Sequence, residues 1–287
     1  MRTKVSYNPM FVALIFIVTY LLFASFLGFY TAVKPHKIIS HITPETLGLD
    51  YEDVSFTTSD DLKLRGWWIP AKEKKAKTII LLHGYPADKG DILPAMAFLN
   101  KKYNLFLFDF RYLGQSDGRY STLGAKETDD LSSALRFLKS RGITEVGIWG
   151  FSVGGAVALM VSSYSPEIKT VISESSYAQL NILSSQLYRV PILRHPLGFL
   201  TNFWVRIILG INLADVSPAR AAHNLTIPIL IIHSKNDDVI PFEHALLLQE
   251  ALKDNPKTEF IFEENFVHGQ FNQTYQNTIS EFFEKNL

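Results

Sequence analysis

Three side chains far apart in the chain have the types and surroundings that acyl transfer needs. Ser152 sits in Gly150-Phe151-Ser152-Val153-Gly154, where an apolar run from Val146 to Trp149 meets a run of small residues, Gly155 to Leu159. That is G-x-S-x-G between a strand and a helix. A serine on so sharp a turn is crowded, and Gly150 and Gly154 remove the Cβ atoms that would clash. The turn lifts the hydroxyl above the sheet edge and aims the first helical N–H groups, beginning with Val153, at whatever the hydroxyl attacks. Serine is a weak nucleophile until a base takes its proton, and the base needs a third group to hold its tautomer. His268 follows the apolar run Thr258 to Phe262 and is the candidate base. Asp237, after the run Pro228 to His233, is the candidate acid; Asp238 and Glu174 are its rivals. The remaining histidines precede Ser152 (His36, His41, His83), lie in the segment before residue 228 (His195, His223), or fall at a strand end or in a predicted helix (His233, His244). A second oxyanion donor is expected from the loop His83-Gly84-Tyr85-Pro86, with the Tyr85 N–H in that role and Pro86, which has no N–H, fixing the loop.

These residues need a scaffold, and the chain supplies one. Apolar runs at Val54–Thr57, Leu64–Trp68, Thr78–Leu82, Leu105–Phe108, Val146–Trp149, Thr170–Ser173, Pro228–His233 and Thr258–Phe262 read as strands. Helical stretches alternate with them: Asp88–Lys101, Ala125–Ser140, the segment after Ser152, Phe242–Leu252 and Phe271–Leu287. Leu131, Leu135 and Leu138 are spaced to face a sheet. The alternation predicts an α/β fold, a mostly parallel sheet with helices on both faces and ligands at the strands' carboxyl ends. More than fifty residues separate Ser173 from Pro228, and the part from about 177 to 216 reads as a small helical cap. Within it, Leu200, Phe203, Trp204, Ile207 and Ile208 share one helical face, which the core, a substrate chain or lipid must cover. One expectation is that this face lines an acyl tunnel opening towards a membrane.

Composition narrows the function. The 287 residues carry 28 basic and 28 acidic side chains, so no nucleic-acid surface is indicated. The absence of cysteine excludes disulfides, thiol catalysis and Cys-ligated metal. From Val5 to Val33 run 29 residues without a charge. That exceeds the ~20 residues a helix needs to cross a bilayer, and no small-x-small cleavage site follows, so the segment reads as a retained single-pass anchor. Residues 1–33 are then tail and transmembrane anchor, 34–50 a linker with Pro35, Pro44 and Gly48, and 51–287 the catalytic domain. Arg2 and Lys4 before the span and Lys34 and Lys37 after it nearly balance, with the outward side favoured for the domain.

With these residues in place, the chain from about Tyr51 to Leu287 resembles the α/β-hydrolase family. His83-Gly84 is similar to the family's H-G turn. Asp109 to Gly118 resembles its D-x-R-G-x-G-x-S loop, with Tyr112 where glycine is usual. The stretch His233 to Pro241 resembles H-G-x-x-D-x-x-V-P, with Ser234 and Ile240 as departures; within that motif the spacing favours Asp237 over Asp238. The likeness extends to membrane-anchored serine hydrolases near the serine aminopeptidase and monoacylglycerol-lipase-like branch. It implies a hydrolase with Ser152, Asp237 and His268 as triad, no metal or organic cofactor, and a small-molecule ester substrate, possibly lipid-like in acyl chain. A peptidase or amidase is the alternative within enzymes, and a binding protein on an inactive hydrolase fold the alternative outside them. Ser152 at the turn excludes the dehalogenase and epoxide-hydrolase chemistries, which need an acid there.

Overall fold

The structure is a computed structural model and describes residues 8–73, 75–186, 188, 191–264, 267–270 and 273–287. The expected tail charges Arg2 and Lys4, and Phe271 at the start of the last expected helix, lie outside the described residues.

Eight strands form one sheet: β1 (Glu52–Thr57), β2 (Lys63–Ile69), β3 (Thr78–Leu82), β4 (Asn104–Phe108), β5 (Val146–Phe151), β6 (Ile168–Glu174), β7 (Ile229–Ser234) and β8 (Thr258–Glu263). Their order is β1-β2-β4-β3-β5-β6-β7-β8. The β1–β2 and β2–β4 pairings are antiparallel, and every pairing from β4 to β8 is parallel. The central strands read as unbroken apolar runs because they are covered on both faces; β3, TIILL, is buried throughout.

One face carries α3 (Glu127–Ser140) and α4 (Val153–Ser162), with Leu131, Leu135 and Leu138 buried as their spacing predicts. The other carries α2 (Lys89–Met96) and α9 (Gln273–Asn286), which bury Leu93, Met96, Ile279 and Phe283. This is the mostly parallel, doubly covered sheet that the α/β-hydrolase resemblance implies. The expected helix Asp88–Lys101 is interrupted: α2 ends at Met96 and the chain continues as a tighter turn, Ala97–Lys101. Pro94 lies inside α2 and has no N–H to offer the Gly90 carbonyl.

Between β6 and β7 lie α5 (Leu180–Gln186), α6 (Pro191–Leu209) and α7 (Pro218–Ala222); α8 (Glu243–Ala251) follows β7. The α6 stripe singled out above divides. Val205 and Thr201 point inward and Trp204 is half-buried, whereas Phe203, Ile207 and Ile208 are exposed.

The N-terminal α1 (Pro9–Val33) is long and apolar enough to span a membrane. Its start is fixed by Asn8, whose side chain accepts the Met10 N–H, and by Pro9 at the first helical position. Its end is not free of the domain. Phe29 and Val33 lie in the main hydrophobic core, and the Val33 carbonyl accepts the Ser121 N–H at 2.9 Å. The expected linker 34–50 is likewise held down. Tyr112 donates its hydroxyl to the Pro35 carbonyl at 2.8 Å, Lys37 donates to the Ser116 carbonyl at 3.2 Å, and the Ser40 N–H donates to Asp88 at 2.8 Å. The packing boundary therefore falls inside α1, before residue 33, and the segment 34–50 is a strap on the domain.

Candidate active site

β5 delivers Ser152 through a turn that only small residues permit. Ser152 has φ +53° and ψ −116°, a backbone conformation that is strained for a side-chain-bearing residue. A Cβ on Gly150 would lie 2.5 Å from the Gly154 backbone, and one on Gly154 would lie 2.5 Å from the Leu82 carbonyl oxygen. Strand, turn and helix approach each other so closely that neither position admits a methyl group. The Ser152 N–H donates to the Glu174 carbonyl at 2.8 Å, fixing the turn to the end of β6.

The carboxyl end of β7 delivers Asp237, buried, with Oδ1 accepting the N–H groups of Val239 (2.9 Å) and Ile240 (2.7 Å). Its Oδ2 lies 2.8 Å from His268 Nδ1. Burial pushes this carboxyl group up, but the hydrogen bond from His268 and those from the two amides outweigh it and hold Asp237 below its ordinary range. An ionised Asp237 only accepts, so His268 Nδ1 donates, and Nε2 keeps its lone pair to receive a proton. The His268 imidazole packs on the Phe151 ring, centroids 4.6 Å apart, beside the serine turn. Asp238 is exposed. Glu174, the other rival, is buried, and its carboxyl group is pushed well above the usual range by burial, with the neighbouring Trp149 side chain lowering it in part and the Asp237 charge raising it further.

The two expected oxyanion donors flank the turn. Val153 is the first residue of α4. The His83–Pro86 loop presses against the turn: a Cβ on Gly84 would meet Phe151 at 2.8 Å and Ser152 Cβ at 3.3 Å, which brings Tyr85 alongside. The Tyr85 hydroxyl donates to the Ala32 carbonyl at 2.7 Å, so the loop is tied to the last turn of α1. His83 pins the loop from beneath. Its Nε2 accepts the Phe110 N–H at 3.0 Å and its Nδ1 donates to the Gly84 carbonyl at 2.7 Å, and burial keeps it neutral by lowering its pKa.

Two histidines have roles that sequence reasoning did not assign. His233 is buried and donates Nε2–H to the Ile240 carbonyl at 2.9 Å, closing the loop that carries Asp237. His244 accepts the Ala178 N–H at 3.1 Å and contacts Gln186 Oε1 at 2.8 Å, joining α8 to α5; burial lowers its pKa to about 4. The H-x-x-x-D spacing of His233 and Asp237 was a visible signal for the first. For His244 the sequence offered no sign. Among the described residues, no group of three His, Asp or Glu side chains has metal-ligand spacing.

Residues 116–287 match the prolyl oligopeptidase family. YfhR of Escherichia coli O157:H7, an uncharacterized protein, is 32% identical over 214 residues, covering 71% of this chain and 69% of the relative. YqkD of Bacillus subtilis strain 168, also uncharacterized, is 30% identical over 235 residues, 77% of this chain and 75% of the relative. Among solved structures, the Pyrococcus furiosus esterase Pf2001 superposes with a TM-score of 0.74 at 27% identity, covering 88% of this chain and 99% of that one.

Proposed function

This chain belongs to the prolyl oligopeptidase family of serine hydrolases with the α/β-hydrolase fold, and on that premise we propose that it cleaves carboxylic esters through an acyl-enzyme on Ser152. The observation that carries the reading is the Asp237–His268 pair at 2.8 Å, with the imidazole packed at a tilt, centroids 4.6 Å apart, on the ring of Phe151, the residue that precedes the strained Ser152. In the first half-reaction His268 Nε2 takes the Ser152 proton as Oγ attacks the acyl carbon. The oxyanion is received by the N–H groups of Val153 and Tyr85. His268 returns the proton to the departing alcohol. In the second half water repeats the sequence, and the acid product leaves. Asp237 stays ionised throughout and stabilises the imidazolium. Likeness to Pf2001 over nearly that whole esterase supports esters as the first substrate class. The family name makes peptide-bond cleavage the second reading.

The reading includes a location. α1 serves as a single-pass anchor with the domain on the outward side, and lipid-like acyl esters are the favoured substrates because the last turn of α1 is tied to the Tyr85 loop and the apolar α6 packs on α1.

A fluorophosphonate probe should label the chain in membranes, and Ser152→Ala should abolish labelling and turnover, since removing a nucleophile of this kind costs on the order of 10⁶ in kcat. Labelling that survives the substitution would move the nucleophile elsewhere. A panel of acyl esters, thioesters and aminoacyl amides then separates esterase from amidase. Faster turnover of the amides would overturn the ester assignment.

A further inference from the structure

We propose that α6 is embedded in the same bilayer as α1, its exposed face resting in the hydrocarbon boundary of the leaflet next to the catalytic domain. The proposal rests on the reading of α1 as a span, and it follows from the length of that helix.

Asn8 and Pro9 fix where α1 begins. From Pro9 to Ala24 every side chain is exposed or half-exposed, and this free part has 16 residues. At 1.5 Å per residue it reaches about 24 Å, short of the ~30 Å hydrocarbon core. The next residue, Ser25, is buried and accepts the Trp204 indole N–H at 3.1 Å. Gly28 lies against Tyr188, whose hydroxyl would sit 2.6 Å from an added Cβ. To cross the bilayer, α1 must sink about one further turn, Ser25 to Gly28. That turn is the one α6 packs against, so the middle of α6 goes down with it.

The surface of α6 suits that position. Phe199, Phe203, Ile207 and Ile208 are exposed by 73%, 42%, 63% and 49%. They adjoin the exposed side of α1 through a run of aromatic contacts. Phe203 meets Trp204 edge-on at 5.3 Å, Trp204 meets Phe26 at 5.3 Å, and Phe26 stacks with Tyr30 at 6.4 Å. This aromatic run stands at the depth where Trp and Tyr gather at a membrane interface. Arg206 is the one charge between Val205 and Leu209, and its stem is long enough to return its guanidinium to the headgroups. A second copy of the chain is the other body that would cover such a face. The bilayer is favoured because the face is continuous with a helix that already requires lipid.

The chain has no cysteine, so single cysteines report cleanly. Full-length Ile17→Cys, Phe199→Cys, Ile207→Cys and Thr144→Cys would each carry a nitroxide in nanodiscs of phosphatidylcholine and phosphatidylglycerol. Thr144 is exposed just before β5, at the end of that strand away from Ser152, and serves as the aqueous reference. Retained fluorophosphonate labelling shows that each variant is folded. Accessibility to oxygen relative to a water-soluble nickel chelate should be several-fold higher at Ile17, Phe199 and Ile207 than at Thr144. Lipid values at Ile17 with aqueous values at Phe199 and Ile207 would leave the span standing and overturn the proposal. Aqueous values at Ile17 as well would overturn both. Spin–spin broadening at Ile207, relieved by dilution with unlabelled chain, would assign the face to a second copy and overturn the proposal too.

Discussion

The ends of β6 and β7 run side by side, with Glu174 in register with Ile232, and each brings a buried carboxyl group to the sheet's carboxyl edge. Asp237 and Glu174 are removed from water to a similar degree, yet burial prevails in one and is overcome in the other. Asp237 has two backbone amides on one oxygen and an imidazole on the other, and these donors favour its ionised form. Glu174 has the Trp149 side chain as its one lowering influence, an indole whose N–H donates to the Tyr275 hydroxyl at 2.9 Å, while its Oε2 has no partner among the described residues. The negative charge on Asp237 further disfavours ionising Glu174. The pair thus shows how donors around a carboxyl group with little exposed surface keep it ionised and able to hold a histidine. It also shows why one charge at this edge suppresses a second.

The comparison breaks most directly in turnover. Asp237→Asn should keep the fold and the amide contacts while removing the charge that fixes the His268 tautomer. The expected loss in kcat on a soluble short-chain ester is on the order of 10⁴, as for the corresponding change in a serine protease. Asp238→Asn should leave kcat nearly unchanged because the side chain is exposed. Glu174→Gln should cost less than about tenfold, since a neutral carboxyl group is replaced by a neutral amide of the same shape. A larger loss for Glu174→Gln than for Asp237→Asn would reassign the acid to β6.

Much of this edge was readable before any coordinates. The serine turn declares itself because a side chain fits at neither position 150 nor position 154, where β5, α4 and β3 meet. His268 follows from lying just past an apolar run; Asp237 shares that kind of position with Asp238 and Glu174 and stands out only through the resemblance of His233 to Pro241 to the H-G-x-x-D-x-x-V-P motif. What the residues did not disclose is who covers an apolar side chain. Phe29 and Val33 look like the rest of the apolar run, yet protein covers them, because hydrophobicity does not distinguish lipid from core. The α6 stripe was ambiguous for the same reason, and the structure splits it, with Trp204 turned onto α1 and Ile207 outward. The strap at residues 34–50 reads as a linker because its bonds to Tyr112, Ser116 and Asp88 are all long-range. Polar partners as remote as Arg111 with Asp60 and Asp130, or Lys89 with Asp109, likewise have no local signature.

A smaller effect sharpens the comparison, because the two carboxyl groups must respond to pH with opposite sign. The folded state holds Asp237 below its ordinary value of 3.8. Its contribution to stability is therefore present above that pH and is lost as pH falls through the folded value, so Asp237→Asn should be less stable than the parent near neutrality and approach it in acid. Glu174 is held above its ordinary 4.5. Once pH rises past 4.5, the unfolded chain releases a proton that the folded chain keeps, and the parent loses about 1.4 kcal/mol of stability for each pH unit until the folded group ionises. Glu174→Gln has no such proton to lose. Thermal melts of the three proteins from pH 5 to pH 8, reconstituted in the same lipid, should show the glutamine variant gaining on the parent as pH rises and the asparagine variant remaining below it. A gap between parent and Glu174→Gln that stays flat with pH would mean that Glu174 is ionised in the folded state. The contrast between the two strand ends would then be wrong in its main physical claim.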